Sequence, residues 1–324
     1  MKKASLLHIA SNTIVAAAFG LLVLLRIAAI CIVPVDQVSD RLRDIDPEIF
    51  KERPPTLQLL STLAEERTFG EYQIRFYQKV DEFGSVFNQL QILQHGTIVY
   101  GGEDTYRYYF GHVGAKEYDN LIKIGNDVTG NGVPNLVVSS YSGGAHCCVS
   151  FEIFELGVEF RKVATLDVTD SYYSHFEKRP GENGLVFVTR DYNFAYWKTG
   201  FAQSPAPEII LRYCDGAYRL AVDLMRKPAP SDVTLLGYAG RIKSEPEWRS
   251  GKSAPLLWDV MLSLIYNGNA ESAWKLFDIA WPKNIFGKAE FLQDFKKQLA
   301  RSDYWEQVKL LNDGLPVCGP DRLR

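Results

Sequence analysis

Apolar and polar positions divide the chain into stretches of different rhythm. From about Ile14 to Val35 nearly every position is apolar, Arg26 is the only charge, and Lys2 and Lys3 precede the run. Such a run crosses the ~30 Å hydrocarbon layer as a helix of roughly 20 residues. Residues 36–70 are charged and broken by Pro54 and Pro55, which reads as a spacer with a short helical stretch around Leu57 to Glu66. From Glu71 the period drops to two. In YQIRFYQKV, Tyr72, Ile74, Phe76 and Gln78 share one face while Gln73, Arg75 and Tyr77 share the other. NQLQILQHGTIVY, NLIKIG, PNLVVSSY, VSFEIFEL, FRKVATLDV, GLVFVTRD, EIILRYC and AYRLAVDL follow, with turn residues between them. They predict a mostly antiparallel β domain over 71–228.

Beyond LMRKPAPSD, where Ser231 and Asp232 give a cap signal, the period becomes helical. Leu257, Met261, Leu264 and Ile265 share one face of APLLWDVMLSLIYNG, and Gly268 is placed to end it. Asn269 is positioned to cap AESAWKLFDIAW, whose stripe is Ala273, Leu276, Phe277 and Ala280 and which Pro282 stops. KAEFLQDFKKQLARS follows with Phe291, Leu292, Phe295 and Leu299, and Ser302 is positioned to cap DYWEQVKLLN. The expected fold class is therefore α+β. It comprises an N-terminal transmembrane helix or signal peptide over 1–35, a spacer over 36–70, the β domain, and a small helical bundle over 229–324 docked on it.

Composition adds limits. The 324 residues are 46% hydrophobic and 23% charged, enough for a full core and about two domains. A net charge of -3 offers no basic face to displace counterions from phosphates, so nucleic acid is excluded as a partner. The two N-terminal lysines orient the chain with its bulk outside the cytoplasmic membrane. The expectation is a single-pass inner-membrane protein whose body lies in the periplasm. Cleavage is the alternative, with Leu21 to Leu25 ending a signal's apolar region and Ala28 and Ala29 supplying small residues near the cut. Either way the body is exported, and the membrane, reached through the N-terminal helix, is one expected partner.

Export bears on the cysteines. Apart from Cys31 there are Cys147, Cys148, Cys214 and Cys318, and an even number in an oxidising compartment favours disulfides. Neighbours on a strand point to opposite faces, so Cys147 and Cys148 are expected to have different partners. One bond from this pair goes to Cys214, and Cys318 takes the other. Buried free thiols are the alternative. A zinc site lacks a second close Cys or His pair beside HCC.

The segment DVTGNGVPNLVV carries the most specific chemistry. Asp127, Thr129, Asn131 and Asn135 stand at positions one, three, five and nine, Gly132 at six, and the Val133 carbonyl at seven. That spacing turns alternate oxygens toward one hard cation, with glycine making the bend. The segment resembles the calcium loop of FG-GAP and VCBS-type repeats, the integrin-propeller pattern DxDxDGxxD followed by an apolar strand. Its extension SGGAHCC is similar to exported bacterial proteins that join such a loop to a glycine-rich turn. The resemblance covers about a dozen residues and implies Ca2+ ligation by Asp127, Thr129, Asn131 and Asn135 in a β-rich fold of adhesion or recognition type. Only Asp127 is a carboxylate here, so binding in the roughly millimolar range is expected. The competing reading is a bare Asx-stabilised turn. A propeller needs several blades, and the loop has no second copy.

Other constellations point less far. His146 beside Cys147 has the residue types of a base and nucleophile, but strand neighbours face apart. SGKS, from Ser250 to Ser253, lacks the glycine a phosphate loop needs, Pro246 standing in its place. Tyr172, Tyr173, His175, Asp191, Tyr192, Phe194, Tyr196 and Trp197 gather as a candidate sugar- or peptide-binding face or as cross-strand packing. The leading expectation is a membrane-anchored exported binding or scaffold protein whose partner is an envelope protein or glycan, more a binder than an enzyme. The alternative is an exported hydrolase acting on a cell-envelope substrate through His175 and Asp191.

Overall fold

Each period-two stretch of the chain pairs with its sequence neighbour, which yields three successive meanders. The computed structural model describes residues 61–81, 84–102, 105–113, 122–144, 147–169 and 173–318. The apolar N-terminal segment, Cys31, most of the spacer, His146 and Tyr172 lie outside the described residues. Among the described residues no helix is long and apolar enough to cross a membrane. The architecture is mixed α+β, with antiparallel sheets and a C-terminal helical region.

The first sheet has strands β1 (Ser61–Phe69), β2 (Tyr72–Val80), β3 (Val86–Gln94) and β4 (Thr97–Gly101). The second has β5 (Arg107–Phe110), β6 (Asn135–Gly144), β7 (Cys147–Leu156) and β8 (Phe160–Asp167). The third has β9 (His175–Glu177), β10 (Val186–Arg190), β11 (Glu208–Cys214) and β12 (Ala217–Leu220). In every sheet the spatial order follows the chain order. Four-stranded meanders are the unit from which propeller blades are made; three of them occur here although the oxygen-rich loop appears once.

Ser61 to Glu66, the described part of the helical stretch expected over Leu57 to Glu66, is strand instead. β1 pairs with β2 from Ser61↔Lys79 to Phe69↔Tyr72, with a bulge between Leu63 and Glu65. Pairing with a preformed neighbour overrides a weak local helical preference, and the Arg75–Glu66 ion pair ties the two strands. The described part of NLIKIG, Ile122 to Gly125, is a bend and turn and not a strand. NQLQILQHGTIVY, read as one segment, folds back at His95 and Gly96, both at positive φ, the conformation of a two-residue hairpin turn. β5 and β9 are too short, at 4 and 3 residues, to leave a readable period.

Stacking explains the strand patterns. β2 alternates because Tyr72, Ile74 and Phe76 face inward and their neighbours are more open. β6 and β10 read as continuous apolar runs because both of their faces are covered. Leu136 and Val138 of β6 join the layer against the first sheet, with Phe76, Leu90 and Ile92. Val137, on the opposite face, joins Phe151, Ile153, Phe176 and Phe187 in a core that continues through the third sheet into the helices. Phe151 packs edge-on against Phe187 at 5.1 Å. Fully burying one such side chain stabilises the fold by roughly 1.5–3 kcal/mol.

The helices are α1 (Val222–Met225), α2 (Asp232–Ser244), α3 (Pro255–Tyr266), α4 (Ala270–Ala280), α5 (Lys288–Leu299) and α6 (Trp305–Asn312). Their expected stripes are the inward faces: Leu257, Met261, Leu264 and Ile265 on α3, and Ala273, Leu276, Phe277 and Ala280 on α4, are all buried. Ser231 caps α2, its side chain accepting from Thr234 N. Two expected caps differ. The Asn269 amide donates to the Lys227 and Asn267 carbonyls, and Asn312 of α6 accepts from Ala270 N at 2.7 Å in its place. α6 begins after Tyr304, and Ser302 is drawn into a tertiary contact described below.

Candidate functional site

The oxygen-rich loop enters β6 and is closed by its own side chains. Asp127 Oδ1 accepts from Gly130 N at 2.7 Å and Asn131 N at 3.2 Å, and Oδ2 accepts from Gly132 N at 2.7 Å. Asn135, almost fully buried, turns Oδ1 inward to accept from Val128 N and Thr129 N at 2.7 and 3.0 Å. Thr129 Oγ1 lies 3.3 Å from both Asp127 Oδ1 and Asn135 Oδ1. Asn131 points elsewhere: its amide donates to Glu155 Oε1 at 2.7 Å, and its oxygen accepts from Val133 N at 3.0 Å. Three of the four expected ligand side chains thus converge, while Asn131 serves the neighbouring strand. With a single carboxylate whose oxygens already accept three amide protons, the donor set fits a calcium ion only weakly. Among the described residues no group of three or more His, Cys, Asp or Glu side chains is placed to hold a metal ion.

Glu155 continues this network into β7. Arg161 of β8 grips it with two hydrogen bonds, at 2.9 and 2.6 Å, and reaches Tyr213 Oη of β11 at 3.2 Å. Those bonds from Arg161, helped by Asn131, hold the buried Glu155 carboxyl below the usual carboxylate range against the opposing effect of burial.

The cysteines depart from the expected pairing. Cys214, at the end of β11, bonds to Cys318 across 104 residues, with Cα atoms 6.3 Å apart. With Cys214 bonded to Cys318, it is not the partner of Cys147 or Cys148. Cys148 is itself disulfide-bonded, and the Cys147 side chain lies outside the described ones. The reason is tertiary. α6 docks beside β12, where Gln307 Oε1 accepts from Leu220 N at 2.7 Å, and this returns the chain end to the edge of the third sheet. Buried Arg212 reinforces the junction by donating to Asp223 Oδ2 at 2.9 Å and to the Cys318 carbonyl at 3.3 Å, and by pairing with Glu182.

The hydrolase candidates separate. Asp191 is buried after β10, and its Oδ2 accepts from the hydroxyls of Tyr266 on α3 and Ser302 before α6. Its Oδ1 accepts from Asn193 N at 2.8 Å. Burial, with the Asp191 charge alongside, pushes the Tyr266 phenol far above its ordinary value, so it remains a proton donor to the carboxylate. His175 belongs to β9, where its ring engages the Tyr173 carbonyl at 2.8 Å and approaches Glu177 at 3.7 Å. The aromatic group divides as well. Phe194 is core, packed on Trp197 and Phe295. Tyr192 stacks on Phe201, Tyr196 is 60% exposed at φ 58°, and Tyr173 is 73% exposed.

One cleft was not readable from the sequence. About 210 Å3 in volume, it lies between the ends of β10 and β11 on one side and α1 and α3 on the other, with Arg190, Glu208, Lys227 and Asp259 around an apolar floor. Arg190 and Glu208 are cross-strand partners, whereas Asp259 is brought in by α3. No local motif could have joined them. Burial raises the Asp259 carboxyl against the downward pull of Arg190.

No protein-family model, curated protein or solved structure matches the chain.

Proposed function

We propose that the chain is an exported binding or scaffold protein of the cell envelope, tethered by its apolar N-terminal segment, with an envelope protein or glycan as its partner. One observation carries this reading. The Asp191 carboxylate, the best placed acid for hydrolysis, is taken up by Tyr266, Ser302 and a backbone amide, while the His175 ring is engaged by the Tyr173 carbonyl just before β9. Catalytic groups need a free lone pair or proton aimed at substrate, and the Asp191 carboxylate joins the third sheet to the helices instead. The Cys214–Cys318 bond supports an oxidising surrounding.

Two measurements on the full chain test the reading. A phosphatase reporter fused after Arg324 is expected to be active in the periplasm, and a panel of envelope substrates is expected to show no turnover. A phosphatase fusion that is made but inactive, because it is held in the reducing cytosol, removes the export reading. Turnover that vanishes in His175→Ala or Asp191→Asn at unchanged melting temperature replaces the scaffold with the hydrolase.

A second reading concerns the loop. Oxygens of Asp127, Thr129 and Asn135 follow one another at 3.3 Å, which favours weak calcium binding as a stabiliser of the β domain. Calcium at millimolar concentration is then expected to raise the melting temperature of the native chain and leave Asp127→Ala unmoved. Equal behaviour of the two leaves the loop a hydrogen-bonded turn.

A further inference from the structure

The cleft between the third sheet and α3 collects four charged side chains, Arg190, Glu208, Lys227 and Asp259. Among the described residues Glu208, Lys227 and Asp259 form no ion pair. Arg190 donates to the Ala206 carbonyl at 3.2 Å and lies beside the Tyr173 ring. Arg190 and Asp259 are close enough for the guanidinium to pull on the carboxyl, yet they form no salt bridge. A gap therefore separates a cation from an anion. Each wall carries one charge of each sign: Arg190 and Glu208 on the strands, Lys227 and Asp259 on the helical side. Between them lies an apolar floor of Ile210, Leu224 and Met225. The 210 Å3 volume falls below the ~300–1,000 Å3 typical of drug-sized ligands, which limits the occupant to a few heavy atoms beyond its charged groups.

We propose that this cleft binds a small zwitterion with an apolar side chain, an α-amino acid of the leucine type, its carboxylate on Arg190 and its ammonium on Asp259. The planar guanidinium fork matches a carboxylate with two parallel hydrogen bonds. An α-amino acid carries its two charges on adjacent carbons, so one small molecule held in the cleft presents both to the Arg190 and Asp259 that line it. Its side chain then covers Leu224, the partly open residue of that floor, above the buried Ile210 and Met225.

This inference rests on the binding reading above but fails separately from it. Isothermal titration of the full chain in detergent with leucine, N-acetyl-leucine, leucine methyl ester and leucyl-leucine tests it. Leucine is expected to bind at millimolar concentration or tighter. Loss of either ligand charge, or either Arg190→Met or Asp259→Asn, is expected to weaken binding by about tenfold or more, equivalent to about 1.4 kcal/mol. Both side chains are solvent-exposed, so melting temperatures should stay near the native value and show that a loss of binding is not unfolding. Leucyl-leucine binding more tightly than leucine would assign the cleft to a peptide terminus of the same chemistry. Absence of leucine and dipeptide binding to the folded chain overturns the proposal. So does N-acetyl-leucine binding as well as leucine, or indifference to both substitutions. None of these results bears on export or turnover.

Discussion

Gly130 and Gly184 meet backbone to backbone: a Cβ on Gly130 would lie 2.2 Å from Gly184 N, and one on Gly184 would lie 2.7 Å from Gly130 N. The contact brings the oxygen-rich loop against the turn before β10, where Leu185 N donates to the Val128 carbonyl at 2.8 Å. Lys178 braces the far side of that turn by donating to the carbonyls of Glu182, Asn183 and Gly184. The loop is therefore a joint between the second and third sheets as well as a candidate ion site.

Gly130→Ala is expected to destabilise more than Gly132→Ala. Both residues have positive φ, but a Cβ on Gly132 meets nothing within 4 Å. The second variant reports left-handed strain alone, about 1–2 kcal/mol, and the first adds a backbone collision. Urea unfolding midpoints of the two variants decide the order, and equal midpoints would show that the joint gives way without resistance.

Asp191→Ala leaves the buried hydroxyls of Tyr266 and Ser302 without their shared acceptor. At about 1–3 kcal/mol for each orphaned group, a loss of several kcal/mol is expected. Thermal melts should show it clearly, with Tyr266→Phe losing less. An unchanged melt for Asp191→Ala would mean that the network contributes nothing to joining sheet and helices.

Cys318→Ser, or mild reduction, opens the 104-residue covalent loop. Closing loops of that size typically stabilises by about 2–5 kcal/mol. Lower stability and faster proteolysis after Leu311 are expected, read by limited digestion under oxidising and reducing conditions.

Acid should weaken the joint at Glu155. Its folded-state carboxyl is held low by Arg161, so its contribution is complete above the unfolded value near pH 4.3 and drains away as pH falls through the lower folded value. The stability difference between the native chain and Glu155→Gln, measured by urea unfolding from neutral pH down to about pH 3, should shrink toward the acid end. A gap that stays constant would show that the carboxylate is not held by Arg161.

Local chemistry made much of this chain readable. The alternation of Tyr72, Ile74 and Phe76, the helical stripe of Leu257, Met261, Leu264 and Ile265, and the cap at Ser231 are set by repeats and hydrogen bonds spanning a few residues. They appear where their periods predict. The turn chemistry of Asp127, Gly132 and Asn135 was legible for the same reason, since a tight loop is closed by its own side chains. What those side chains serve beyond the loop was not.

The rest was decided by contacts across long stretches of chain. Ser61 to Phe69 is a strand because β2 stands ready to pair with it. Cys214 finds Cys318 because α6 returns the chain end to the third sheet. Asp191 meets Ser302 at a separation of 111 residues, and Arg190 comes beside Asp259 only when α3 packs over β10 and β11. Periodicity tells which face of an element seeks burial. Which partner covers that face depends on the packing of all the elements together, a property that no window of neighbouring residues contains.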